Sequence, residues 1–239
     1  MKLLQWTEWR PIYLDIVRRL DLDSSMDTKA TQLLTELLRE VDPKPILHQL
    51  EQIIKDRIVV ICGAGPSLEK HVQMLKRRDD YQDLVFVVAD GAISFLLEQN
   101  LSCDILVTDL DGDYNHIKHA TKNGTLTIVH GHGDNMNQIR DMVPNLGSVL
   151  GSTQVEPTDR TFLWGGFTDG DRACYVAASY SPREIILAGM DFGNLVGKWS
   201  KPEHDTHFPA PQRKLIKLEI AYELISTLFE KKDIPHTIL

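Results

Sequence analysis

The chain has 239 residues, 42% hydrophobic and 25% charged, an ordinary composition for a folded protein and enough for one large α/β domain or one domain with a helical appendage. A formal net charge of -8 argues against a nucleic-acid backbone as partner, and no apolar run approaches the ~20 residues of a membrane span. Cys62, Cys103 and Cys174 lie far apart without C-x-x-C spacing, and Met1 to Arg10 lacks a signal-peptide core, so reduced thiols and a cytoplasmic protein are expected.

Residues 1–55 read as a helical N-terminal region. Ile12, Leu14, Ile16, Val17 and Leu20 make one amphipathic face, and Asp21 to Ser25 break it. Leu33, Leu34, Leu37 and Leu38 make a second, with Asp27 or Thr28 as N-cap. Pro43 and Pro45 precede a third helix through Leu50 and Ile54. Trp6, Trp9 and Tyr13 read as packing anchors, nothing here suggests chemistry, and the apolar stripes are compatible with a homodimer.

Residues 56–239 read as an α/β catalytic domain. The β-branched run Ile58-Val59-Val60-Ile61 breaks into Cys62-Gly63-Ala64-Gly65-Pro66-Ser67 before a helix through Leu68, Val72 and Leu75. Strand, glycine turn and helix aim backbone N–H groups at an anion, so Gly63, Gly65 and Ser67 are candidate phosphate or ribose contacts. The alternative is a tight turn needing glycine for its dihedrals alone. The loop is neither G-x-G-x-x-G nor a Walker A sequence.

A second strand, Leu84 to Ala89, ends in Asp90-Gly91, and a helix from Ile93 to Glu98 follows. The next strand leads into Asp104-Ile-Leu-Val-Thr-Asp-Leu-Asp-Gly-Asp113. Alternate residues of an extended chain project to one side, so Asp109, Asp111 and Asp113 can converge on a cation. Hard oxygen ligands suit Mg2+ bridging to phosphates. The other reading makes Asp113 the cap of the next helix. A fourth strand, Thr125 to Val129, ends in His130-Gly131-His132-Gly133-Asp134-Asn135, where His132 or Asp134 reads as an active-site contributor rather than a zinc ligand.

Short strands at 146–151 and 161–164 precede Gly165 to Arg172 and an alanine-rich helix. Arg172 either reaches a phosphate or pairs with Asp169 or Asp171. Glu184 to Ala188 is the last clear strand, with Asp191 beyond it. The long loop from Asn194 to Pro211 reads as a lid. The final helix carries Arg213, Lys214 and Lys217 in its first turns, where cations oppose the helix dipole. Lys214 and Lys217 are therefore candidate phosphate ligands, against the alternative of a solvated basic face. The fold class is α/β, a mostly parallel sheet with helices on both faces. Asp90, Asp109, Asp111, Asp134 and Asp191 form an acidic rim at its carboxyl edge.

Two resemblances follow. Phe86 to Ala92 (F-V-V-A-D-G-A) followed by D-I-L-V-T-D-L-D-G-D resembles the A-D-G-G and G-D-x-D-S segments of thiamin pyrophosphokinases. Ala92 and Thr108 replace glycines of that pattern and Gly112 replaces its serine, which argues against thiamin as substrate. The wider set C-G-A-G-P-S-L-E, A-D-G-A, T-D-L-D-G-D, H-G-H-G-D-N, G-F-T-D-G-D-R-A, A-G-M-D-F-G and the closing K-L-x-K-L helix spans most of residues 58–228. It resembles the archaeal 6-hydroxymethyl-7,8-dihydropterin pyrophosphokinase family. The core is also similar to a domain of motility-associated glycosyltransferases.

The pterin-family resemblance implies Mg2+-dependent transfer of diphosphate from ATP to the hydroxymethyl of a reduced pterin, releasing AMP, in tetrahydromethanopterin or folate biosynthesis. By the thiamin-kinase pattern, Asp109 and Asp111 match the metal-binding D-x-D, Asp90 the A-D-G-G aspartate, and Asp134 a later metal-site aspartate. Gly63, Gly65 and Ser67 match the pterin family's glycine loop. Asp90 or Asp111 would serve as base, Arg172, Lys214 and Lys217 as phosphate holders, and Asn135, Asp169 and Asp191 as pterin contacts. The rival readings are a metal-dependent nucleotide-sugar transferase and a nucleotide-binding module without turnover.

Overall fold

The structure, a computed structural model, describes residues 3–201 and 203–239; Met1, Lys2 and Pro202 lie outside the described residues. β1 (Ile58–Cys62), β2 (Val85–Ala89), β3 (Ile105–Thr108), β4 (Leu126–His130), β5 (Leu150–Ser152) and β6 (Thr161–Phe162) lie side by side in chain order. The chain then returns across the sheet to β7 (Glu184–Ala188) on the far side of β1, and β10 (His236–Ile238) closes that edge. All eight strands of this sheet are parallel. Strand order therefore reverses between β1 and β7, the kind of switch point beside which open α/β sheets bind ligands.

The apolar runs read in the sequence are strands buried on both faces, as parallel sheets require. Val59 and Ile61 join one core cluster with Val85, Val87, Ile105 and Val107. Ile58, Val60 and Cys62 join the opposite one with Phe86, Val88 and Leu106. The first face is covered by α1 (Trp6–Leu20), α3 (Pro43–Ile54), α8 (Asp169–Ala178) and α9 (Gln212–Lys231). The second is covered by α2 (Ser24–Leu37), α4 (Leu68–Leu75), α5 (Ala92–Glu98), α6 (Tyr114–Lys122) and α7 (Met136–Met142). The three N-terminal helices thus divide between the two faces. Trp9, fully buried against the first, makes an edge-on contact with Tyr175, and truncating such a residue costs about 3–5 kcal/mol.

Three local outcomes shape the site. α2 begins one turn before the expected cap, because Asp23 accepts the Ser25 N–H at 2.9 Å. Asp27 therefore falls inside the first turn and is buried. The expected lid between Asn194 and Pro211 contains an antiparallel pair, β8 (Leu195–Val196) and β9 (Phe208–Pro209). Its tip turns onto the loop after β1, where a Cβ on Gly197 would stand 2.1 Å from the Ala64 carbonyl oxygen. Finally, α8 starts beyond β6 but lies against β1, β2 and β3, which carries its N-terminus back to the middle of the sheet's carboxyl edge.

Candidate active site

A cleft of about 350 Å³ runs along the carboxyl edge of the sheet. At its centre Asp90, Asp109 and Asp169 each direct a carboxylate oxygen to within 4.8 Å of the others. Asp90 leaves β2 fully enclosed. Its Oδ2 accepts the Thr108 hydroxyl at 2.8 Å and the N–H groups of Asp111 and Gly112 at 3.1 Å. Its Oδ1 is buried and receives no hydrogen bond, and the same holds for Asp109 Oδ1. Buried carboxylate oxygens without donors are costly, and a cation is the partner that removes that cost.

The electrostatics of the cluster are divided. Burial, then the charges of Asp109 and Asp111, push Asp90 up to about 7. Burial, then Asp109, Asp90 and Asp111, push Asp169 well above the carboxylate range. Burial works the same way on Asp109, but the His132 hydrogen bond and charge, then Lys201 and Lys217, outweigh it and bring Asp109 to about 2. His132 Nδ1 accepts the Asp134 N–H at 3.3 Å, and His132 Nε2 donates to Asp109 Oδ2 at 3.2 Å. Asp111 sits at the exposed rim, paired with the Lys201 ammonium; burial and Asp109 raise its pKa.

On one flank are the loops after β1 and β7. Gly63 N–H donates to the Ala188 carbonyl at 2.9 Å and Gly65 N–H to that of Gly189 at 2.8 Å. The N-terminus of α4, read as an anion site, already holds an anion of the chain. Asp191 Oδ2 accepts the Ser67 N–H at 3.0 Å and its hydroxyl at 2.7 Å. A Cβ on Gly65 would stand 2.1 Å from that oxygen, so the glycine is required by the close approach of Asp191. Gly63, Gly65 and Asp191 all line the cleft.

On the other flank are the loops after β4 and β5 and the first turn of α2. Asp27 Oδ2 accepts the Tyr13 hydroxyl at 2.6 Å and Gln154 Nε2 at 2.8 Å, while Oδ1 accepts the Gly133 N–H at 2.8 Å. Lys214 and Lys217 face the cluster from α9. Burial, then the neighbouring Lys217 charge, lowers the Lys214 pKa. Lys201 comes from the β8–β9 hairpin; burial opposes its charge, but the Asp111 hydrogen bond and surrounding carboxylates raise its pKa overall.

Several expected contributors take other places. Asp134 lines the cleft but is exposed, on the short 3-10 turn Gly133–Asn135, and Asp169 is the third carboxylate of the central cluster. Asn135 lies beneath the cleft, its amide donating to the carbonyls of Asp109 and His130 at 2.7 Å and accepting the His132 N–H at 3.0 Å. Both amide hydrogens are used in joining the ends of β3 and β4, leaving no donor–acceptor pair for a ring. Arg172 neither pairs at the surface nor lines the cleft. It is fully buried and donates to the carbonyls of Gly165 and Phe167 and to His130 Nε2. Asp171 is drawn away from it into a capping box with Thr168. Asp113 caps α6, accepting the His116 N–H at 3.0 Å.

Asp27, Gln154 and Lys201 were not singled out from the sequence as cleft residues. Lys201 carried a signal, its place in a long loop; Asp27 looked like any helix-capping aspartate.

Comparison with known proteins follows the same core. Residues 32–197 match the family described as 6-hydroxymethylpterin diphosphokinase MptE-like. The chain is 40% identical over 225 residues to the 6-hydroxymethyl-7,8-dihydropterin pyrophosphokinase of Pyrococcus furiosus, covering 94% of each chain. It is 37% identical to the protein of that name from Methanocaldococcus jannaschii, over 95% of this chain and 97% of the other. A third, from Methanothermobacter thermautotrophicus, is 36% identical over 98% of both. Among solved structures, a MAf glycosyltransferase from Magnetospirillum magneticum AMB-1 overlaps 81% of this chain and 37% of its own, at 13% identity and a TM-score of 0.46.

Proposed function

The chain belongs to the MptE-like 6-hydroxymethylpterin diphosphokinase family, and from that premise we propose that it transfers diphosphate from ATP to 6-hydroxymethyl-7,8-dihydropterin with Mg2+, releasing AMP. The observation that carries the metal and phosphate part is the pair of buried, donorless oxygens, Asp90 Oδ1 and Asp109 Oδ1, faced by Lys214 and Lys217. Three converging carboxylates with two unpartnered oxygens fit a hard divalent cation. Asp90, Asp109 and Asp169 would hold it, with Asp111 at the rim. When bound, Mg2+ neutralises phosphate charge and favours departure of the oxygen bridging the α- and β-phosphorus.

The chain's own groups do the rest by position and charge. Lys201, Lys214 and Lys217 bind phosphate oxygens. The hydroxymethyl oxygen forms a bond to the β-phosphorus, the bond from that phosphorus to the α–β bridging oxygen breaks, and AMP leaves with the electron pair. The hydroxyl proton passes to a carboxylate, for which we assign Asp111 at the rim, and then to water. Gly63 and Gly65 line the β1–β7 flank, where the adenosine end would lie. The free thiols of Cys62, Cys103 and Cys174 support a reducing, cytoplasmic setting.

The test is product analysis with ATP, Mg2+ and 6-hydroxymethyl-7,8-dihydropterin. AMP formed in step with the pterin diphosphate is expected. ADP, or no nucleotide product, overturns the proposal.

A further inference from the structure

The β4–β5 flank of the cleft contains a buried side-chain pair that the phosphate chemistry leaves without a task. Asp27 is 4% exposed and Gln154 3% exposed, and both line the cleft. Gln154 Nε2 donates to Asp27 Oδ2, which fixes the amide orientation; a flip would set two oxygens 2.8 Å apart. Gln154 Oε1 therefore points the other way, 3.3 Å from His130 Nε2. That nitrogen already faces the Arg172 guanidinium at 3.0 Å. A guanidinium only donates, so His130 Nε2 is an acceptor, and its proton sits on Nδ1 toward Ser152 Oγ at 3.3 Å. Gln154 Oε1 consequently meets a lone pair and receives no proton from a described residue. Asp27 Oδ1, with the Gly133 N–H as its single donor, has a second lone pair to offer.

We propose that Asp27 Oδ1 and Gln154 Oε1 form the recognition edge for the 2-amino and N3–H groups of the pterin, which places the heterocycle on the β4–β5 flank and the nucleotide on the β1–β7 flank. The inference rests on the proposed function and assigns its acceptor site. A reduced pterin presents two adjacent donors at one end of its ring and the reacting hydroxymethyl at the other. Two buried acceptors in one wall of the cleft are the complement of that end. Gln154 follows β5, two strands beyond the β3 that delivers Asp109, a separation of roughly 10 Å at the usual strand spacing. That is about the length of the fused ring with its hydroxymethyl arm, so a pterin held at Asp27 and Gln154 brings its hydroxyl to the central carboxylates. Leu22, Met26 and Phe167 line the same cleft and supply apolar walls.

The placement also gives the first helix a task. Trp9 Nε1 donates to the Gln154 carbonyl at 3.0 Å, and Tyr13 donates to Asp27. Both are positioning residues that hold the two acceptors without touching substrate. Asp27 precedes the residues matched by the family description, so this recognition edge joins the N-terminal helices to the shared core.

The test compares binding of 6-hydroxymethylpterin with its 2-oxo counterpart, 6-hydroxymethyllumazine, to the full chain, its Asp27→Asn variant and its Gln154→Met variant. A Mg2+-bound non-hydrolysable ATP analogue serves as control. The wild-type protein is expected to prefer the 2-amino ring by about 10- to 100-fold, the worth of a hydrogen bond to a charged or buried partner. The variant that removes the partner of the 2-amino group should lose most of that preference, the variant that removes the partner of N3–H should weaken both rings alike, and both should bind the ATP analogue as before. A folding defect would weaken both ligands together and leave the ratio between the two rings unchanged. A preserved ratio in both variants while each still binds the ATP analogue, or no preference in the wild-type protein, overturns the inference. Absence of AMP and pterin diphosphate from the wild-type reaction overturns the proposed function, in a separate assay.

Discussion

A Cβ on Gly112 would stand 2.2 Å from Asp90 Oδ1. Asp90 has no room to retreat, because its other oxygen is fastened by Thr108 and by the N–H groups of Asp111 and Gly112 itself. The thiamin-kinase pattern has serine where this chain has Gly112, and here the glycine keeps Oδ1 aimed into the carboxylate cluster. Gly112→Ala is expected to lower Mg2+-dependent turnover about 100-fold, the usual consequence of moving a reacting geometry by ~1 Å. Steady-state rates across a Mg2+ titration check this. Wild-type turnover and Mg2+ dependence in the variant would mean that Asp90 Oδ1 does not meet the metal.

Asp169 is expected to trade stability for chemistry. At pH 8 the metal-free fold must either keep on Asp169 a proton that an exposed carboxyl would have released, or hold a third anion beside Asp90 and Asp109 against burial and repulsion, and both are unfavourable. Asp169→Asn removes that choice at nearly constant shape. The melting temperature in EDTA should rise by about 2–4 °C, which corresponds to ~1 kcal/mol in a chain of this size. Turnover should fall at least ~100-fold, and stabilisation by Mg2+ should shrink. A variant that melts earlier than wild type in EDTA while keeping its Mg2+ response would contradict the assignment.

These residues also mark how far the sequence could be read. Asp90 and Asp109 were legible because each ends an apolar run, and a strand end in a parallel sheet faces the ligand edge. Asp169 was seen but given a substrate role. Its place beside β2 and β3 depends on α8 crossing back over the sheet after β6, a long-range packing choice that no local periodicity records. Arg172, read as an exposed phosphate or ion-pair residue, is buried by the same crossing. Asp27 was hidden by a boundary: one turn of helix separates a cap facing solvent from a buried acceptor in the cleft wall. The fold class was more accessible, since both-face burial makes each parallel strand announce itself.

Acid–base linkage gives a prediction for the metal-free protein. Asp90 titrates at about 7 in the folded chain against 3.8 when exposed, so between those values the native state holds a proton that the unfolded state has released. Stability from this group is full below 3.8, falls as pH rises through that window, and reaches its minimum above about 7. Mg2+ must displace that proton, so the rise in melting temperature on adding Mg2+ should be larger at pH 8 than at pH 6. Asp109, already ionised near pH 2, contributes no such difference. Asp90→Asn should flatten the metal-free profile between pH 5 and 7. An equal Mg2+ increment at both pH values would remove Asp90 from the set of ligands.

Lys214 should behave in the opposite sense to a stabilising surface lysine. It lies in the first turn of α9, where the helix dipole disfavours a cation, and burial and Lys217 disfavour its charge further. The charges of Asp169 and Asp111 favour its ammonium without outweighing these effects, and a bound polyphosphate would. Lys214→Met keeps the aliphatic packing and removes the charge, so the ligand-free melting temperature should hold or rise slightly. The affinity for ATP should fall about 10- to 100-fold, as expected when a charged hydrogen-bond donor to phosphate is lost. Binding of 6-hydroxymethylpterin, which carries no phosphate, should be unchanged. Calorimetric titration with each ligand separates these effects. Lost stability with intact ATP affinity would return Lys214 to the alternative first read for it, a solvated basic face.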